Sequence, residues 1–368
     1  YALDANTTAN DNTAVGAHAL TACTTGYENV GVGNSAVGAM TTGSRNMAVG
    51  NLACGAVTTG YQNIAMGYNA CGAVTTGLNN VAIGHRALQT ATSNYNVALG
   101  AIALMDVTTG GSNVAIGQGA AQNITTGAKN TAVGTDSLGT ATTGNNNIAL
   151  GYSALYACTT GGDNIALGYE SLKSITTGNG CSAIGFNALE NCTGNNNTSI
   201  GYRSGRDLTS GVENVFVGMY AGRAFSTGSY NVAIGYNSMA HSSAVCTGDK
   251  NTCVGYDAMS SSSITSATRN TTVGWAAMYS ITTGAKNVAI GEGAAYHLTT
   301  GDNNICIGLA AGQSGSPSGQ ITTANDNFVL GNNSISNLYC ADTSISSSDK
   351  RDKTDIEEFT HGLDWITA

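Results

Sequence analysis

Large apolar residues alternate with small ones at short, regular intervals along this chain. In residues 60–67 Ile64 and Met66 flank Ala65, in residues 77–84 Val81 and Ile83 flank Ala82, and in residues 284–291 Val288 and Ile290 flank Ala289. Alternation over four or five residues, bounded by Asn and Gly, predicts a short strand. Each such stretch closes on a glycine, from Gly16 to Gly331, giving 19 units with 17 residues as the usual spacing. A period this short is the signature of a solenoid in which every repeat is one coil. The expectation is an all-β, parallel β-roll or β-solenoid of about 19 coils, each with two short strands and two turns. Val81 and Ile83 point one way with Leu88 and Val74, and about four apolar side chains per coil face the interior. At about 4.8 Å per coil the rod would be on the order of 90 Å long.

Two columns of the repeat stand out. Asn lies four residues before the closing glycine in 18 of the 19 units, and only Cys181 breaks the column. Asn63, Asn80 and Asn287, with Gly67, Gly84 and Gly291, are therefore read as scaffold: stacked amides can hydrogen-bond along the array and satisfy turn backbone. Asn and Gly are also expected to supply the positive φ that the turns need. The second column follows the glycine directly. It is mixed at first (Asn34, Asn51, Tyr68, His85), then becomes Tyr152, Tyr169, Phe186, Tyr202, Met219, Tyr236, Tyr256 and Trp275. Stacked aromatics on one edge suit either a glycan-binding strip or packing against a neighbouring chain, and the interface is the preferred reading.

Regularity decays towards the end. The spacing stretches to 20 residues between Gly235 and Gly255, 19 between Gly255 and Gly274, and 23 between Gly308 and Gly331. The added residues form loops such as 240–244 and 312–319, read as either a contact region or neutral drift.

Composition narrows the function. The chain has 50 Gly, 1 Pro, only 10% charged residues, a net charge of -9 and a pI near 4.8. The acidic balance argues against a nucleic-acid groove, which needs a basic stripe. No apolar run approaches a membrane span and no signal peptide is visible, so no membrane insertion is expected. The ten cysteines form no metal-ligand spacing. Cys23, Cys158, Cys192, Cys253 and Cys306 read as small core residues. Stacking of Cys54 on Cys71 in consecutive coils leaves a disulfide open. The five histidines (His18, His85, His241, His297, His361) are scattered, and neither a cofactor nor a metal is expected. No catalytic motif appears in the array.

After Gly331 the character changes. The division expected is a repeat shaft over 1–335, a Ser/Asn-rich connector over 336–348 and a charged terminal segment over 349–368. Ile356, Phe359, Leu363 and Ile366 follow at helical spacing, and the pattern stops at Ala368, so further sequence is expected beyond it and before Tyr1.

Two resemblances meet here. The Asn-x-Ala-x-Gly units over about residues 10–335 resemble the left-handed β-roll repeats of trimeric autotransporter adhesin heads and of related phage tail fibres. The 17-residue coil with its Thr-Thr-Gly turn is longer than the usual adhesin coil. The tail resembles the start of the self-cleaving intramolecular chaperone that ends many phage tail fibres and spikes, matching at Ser348, Asp349, Arg351, Lys353 and Ile356. The second resemblance implies a homotrimer, with cleavage between Ser348 and Asp349. Ser348 would be the nucleophile and Lys353 its base, from the same or a neighbouring subunit. Retention of residues 349–368 bears against completed cleavage. The physics agrees with such a helper, because near-identical coils slip register at little cost.

The leading expectation is thus a homotrimeric phage tail fibre, located in the virion. It would attach to a host cell-surface glycan or protein receptor and join other tail proteins. The alternative is a trimeric autotransporter head at a bacterial cell surface. A polysaccharide-degrading tail spike ranks lower. An ice-binding array is discounted, because Thr25, Thr42, Thr59 and Thr76 precede a turn glycine rather than span a flat strand.

Overall fold

The computed structural model describes residues 2–223, 225–240, 246–261 and 264–337. The connector from residue 338, the terminal segment with Ser348 and Lys353, and His241 and His361 lie outside the described residues. The chain is a parallel β-solenoid, as the period predicts. Among the described residues there are 19 strands of three residues each, from β1 (Thr13–Val15) to β19 (Phe328–Leu330). Each strand pairs in parallel and in register with the strand one coil on. Thus β4 (Ile64–Met66) sets Ile64, Ala65 and Met66 against Val81, Ala82 and Ile83 of β5 (Val81–Ile83).

Two details of the expected coil are corrected. Among the described residues each coil carries one strand rather than two, and the rest is turns with two isolated parallel bridges, Phe225 to Cys246 and Thr268 to Ala285. The strand also faces the other way. Ala65 is fully buried, whereas Ile64 and Met66 are 37% and 41% exposed. Val81 and Ile83 therefore do not share a side with Leu88 and Val74, which are buried. Size explains the inversion. A 17-residue loop closed around itself leaves a thin interior, and the strand centre has room for Ala but not for Ile. Four apolar side chains per coil do fill the core, as Ala65, Ala70, Cys71 and Val74 show.

The exception proves the volume argument. In β13 (Val215–Val217) the centre is Phe216, fully buried, and Gly205 and Gly222 stand where most other coils place Leu, Met, Cys or Val. A methyl added at Gly222 would come within 2.5 Å of the Phe216 ring. The neighbouring coils have given up the volume that the ring takes.

The turns hold left-handed backbone at far more than Asn and Gly. Gln62, Asn69 and Cys71 have φ of 59°, 57° and 50° within one coil, and even β-branched Val37 and Ile102 sit at 53° and 56°. The ladder asparagine is not among these positions. Such residues cost of order 1–3 kcal/mol each and persist only where surroundings hold them. Here the hold is visible. Gln62 N–H donates to the Ser44 carbonyl (3.0 Å) and Asn69 N–H to Asn51 (3.0 Å), one coil back. Cys71 N–H donates forward to Ala87 (3.0 Å). The left-handed turns aim backbone groups along the rod axis, so each coil is bonded to both neighbours outside the strands as well as within them.

The closing glycine is required twice over. Gly67 has φ of 131°, and a methyl there would lie 2.6 Å from the Gly84 carbonyl oxygen of the next coil.

Candidate functional site

The asparagine ladder is built as its spacing implies. Asn63 Oδ1 accepts from the backbone N–H of Asn80 (3.1 Å) and from its amide (3.1 Å), while Asn63 Nδ2 donates to the Gly77 carbonyl (2.8 Å). The same pattern joins Asn270, Asn287 and Asn304. These side chains are buried and consumed by the scaffold, with nothing left for a ligand. A second ladder was not read from the sequence. Thr41 Oγ1 donates to the Thr58 carbonyl (3.3 Å) and Thr58 Oγ1 to Thr75 (3.2 Å). The recurring Thr-Thr pair was the signal, and its role follows from the first hydroxyl reaching one coil forward.

Nine cysteines are free and buried, and Cys340 lies outside the described residues. The disulfide left open between Cys54 and Cys71 is not formed. The Cys71 thiol is pushed up by its contact with Cys54 and then by burial. Burial alone pushes Cys306 up to about 11, and Cys158 and Cys246 reach about 11 and about 12 for the same leading reason. A neutral, buried thiol is neither a nucleophile nor a metal ligand.

The outer surface is where chemistry is left. The third strand residues form a continuous apolar stripe, widened in most coils by an apolar first residue and broken there by Thr or Ser in six: Ile148 and Leu150 are 38% and 39% exposed, with Ile116, Ile184, Ile200, Ile234, Ile290 and Ile307 comparable. The aromatic column borders this stripe, two residues beyond each strand. Tyr152 stacks on Tyr169 (5.2 Å between centroids), Tyr169 on Phe186 (4.9 Å) and Phe186 on Tyr202 (5.3 Å), with planes within 16° of parallel. Met219 interrupts the stack, and Tyr220 bridges it edge-on to Tyr202 and Tyr236. Tyr236 then stacks on Tyr256 (4.9 Å). Arg203 and Arg223 cap Tyr202 and Tyr220 at 5.1 and 4.9 Å.

This geometry weighs on the two readings of the column. A ring whose faces lie against its neighbours offers only its edge to a sugar, so an open face is to be found where stacking stops. The last stacked pair is Tyr236 on Tyr256, and Trp275, the last aromatic of the column, follows it one coil on. Glu292 and Leu309 take the corresponding places in the next two coils, and a hollow of about 330 Å³ opens beside them. The sequence reading included Trp275 but missed the hollow, whose floor depends on small residues in a third column.

Among the described residues no group of three His, Cys, Asp or Glu side chains could hold a metal. Nor does any helix among them have the length and apolarity to cross a membrane. Comparison of the chain with protein-family models returns no match, and comparison with curated proteins returns none either.

Proposed function

We propose that this chain is the shaft of a homotrimeric fibre that attaches to a cell surface, most specifically a phage tail fibre. The observation that carries the reading is the apolar stripe on the outer face of the 19-stranded sheet. At about 4.8 Å per strand it is roughly 90 Å long and about 10 Å wide, on the order of 900 Å². Exposed apolar patches beyond a few hundred Å² mark sites of association. A stripe that repeats in register along a rod is best covered by identical rods lying alongside. Copies of the chain are therefore its occupants, and the resemblance to trimeric fibres and adhesin heads supplies the number three. Trimerisation also bears on folding, since locking three near-identical arrays together removes register slips.

Attachment would be carried by the surface that varies around the scaffold. The tail motif favours the tail fibre over the adhesin head. Ser348 and Lys353 would release the chaperone by cutting before Asp349 once the shaft has assembled. Expression of the complete gene with Ser348→Ala should leave the chaperone attached; release of the same fragment from the variant would remove the self-processing claim. The stripe is tested by placing lysine at Leu150, Leu167 and Ile184 together, the third strand position in three successive coils. These side chains lie outside the core, so the β-signal in circular dichroism should persist while the oligomer weakens. An oligomer of unchanged mass and stability would show that the stripe is not the interface.

A further inference from the structure

We propose that the hollow beside Trp275 binds a neutral pyranose ring of a surface glycan. The proposal deepens the attachment reading and rests on it for the origin of the glycan. The hollow comes from a local break in two columns. In the coils from 152 to 256 the residue after the closing glycine is mostly aromatic and stacks on its neighbours, but past Trp275 the column continues as Glu292 and Leu309. The indole is 53% exposed, and no ring covers it from the following coil.

In most coils the next residue carries a longer side chain, as the half-buried Arg203, Tyr220, Asn237 and Asp257 do. In three consecutive coils it shrinks to Ala276, Gly293 and Ala310. Gly293 and Ala310 line the hollow, and a methyl added at Gly293 would come within 2.5 Å of Gln313 Nε2. The space is therefore made by loss of side chains over a preserved backbone.

Its walls match a sugar. The indole offers an electron-rich face to the C–H bonds of a pyranose, and Leu309, 55% exposed, supplies a second apolar wall. The Glu292 carboxylate accepts hydrogen bonds from hydroxyl groups, and such charge-assisted bonds are the stronger kind. Gln313 donates through Nε2 to the Gly293 carbonyl (2.8 Å), which fixes the amide with Oε1 as an acceptor. Tyr296 is held in place by stacking on Tyr279 (5.0 Å), and His297 meets it edge-on (4.8 Å). A volume of about 330 Å³ is at the small end for ligand sites, suited to one sugar ring and its substituents. Glu292, on a chain of net charge -9, repels sialic and uronic acids and so selects neutral sugars. None of the lining residues belongs to a strand, so the hollow lies off the apolar stripe and stays open when the stripe is covered.

The test applies the whole chain to an array of purified saccharides containing neutral hexoses, N-acetylhexosamines, uronic acids and sialic acids. Affinity for the best neutral ligand is then measured by calorimetry for three variants. Trp275→Ala and Gly293→Asn should each weaken binding at least tenfold, and Tyr61→Ala, at an exposed ring outside the column, should leave it unchanged. Gly293→Asn fills the hollow with a residue that this column already holds at the same left-handed φ, as Asn237 does at 55°, so it keeps the fold. Wild-type affinity in both hollow variants, binding confined to acidic sugars, or no saccharide binding at all would overturn the proposal. Native mass on the same samples separates the readings: failed sugar binding by an intact trimer removes the hollow and leaves the fibre, whereas a monomer removes the fibre itself.

Discussion

At the scale of single residues, the array is held by side chains that repeat one hydrogen-bond pattern, and its irregularities show what each contributes. Where the ladder has Cys181, backbone N–H donation to Asn164 Oδ1 survives (3.0 Å) and the thiol replaces the amide as donor to the Gly194 carbonyl (3.2 Å). What is lost is the carbonyl oxygen that would accept from the next rung, Asn197. Cys181→Asn should restore it and raise stability by about 1–2 kcal/mol. A urea midpoint that falls or stays put would show that the ladder is not additive here. The buried thiols set a pH limit as well. Because burial raises Cys158, Cys246 and Cys306, the folded chain keeps protons that the unfolded chain releases above about pH 8.5. Their contribution is complete below that pH and falls as pH rises through it, by up to about 1.4 kcal/mol per thiol per pH unit. Urea midpoints should therefore drop between pH 8 and pH 10, with the thiols silent to a thiol reagent until the chain unfolds. Early reaction in native buffer would contradict the buried core.

At the scale of the coil, the period, the parallel stacking and the ladder were all legible in the sequence, because each depends on spacing alone. The orientation of the strand was not. Ile64-Ala65-Met66 alternates equally well with either set inward, and the larger residues look like the core by hydrophobicity. The decision lies in volume: the coil is too thin for Ile at its centre, and only closure of the 17-residue loop shows this. The turns were half legible. Glycine marked the places where neighbouring backbone comes too near for a methyl, as at Gly67, but left-handed Gln62, Val37 and Ile102 carry no signal in their side chains. They are imposed by the bonds their N–H groups make along the rod. The hollow at Trp275 was legible only in retrospect, since Ala276, Gly293 and Ala310 are ordinary small residues until the coils are stacked.

At the scale of the whole molecule, one consequence follows from the inverted strand. Residues that a sequence reading assigns to the core of one chain lie on its outer face, and in the proposed trimer they would form the surface between chains. The rod has a thin interior of Ala, Cys, Val and Leu inside each coil, and the proposed trimer would add a second one between chains. The most direct test is the mass of the intact assembly in native buffer. Three copies of the 36.9 kDa chain are predicted, and a stable monomer would contradict the account.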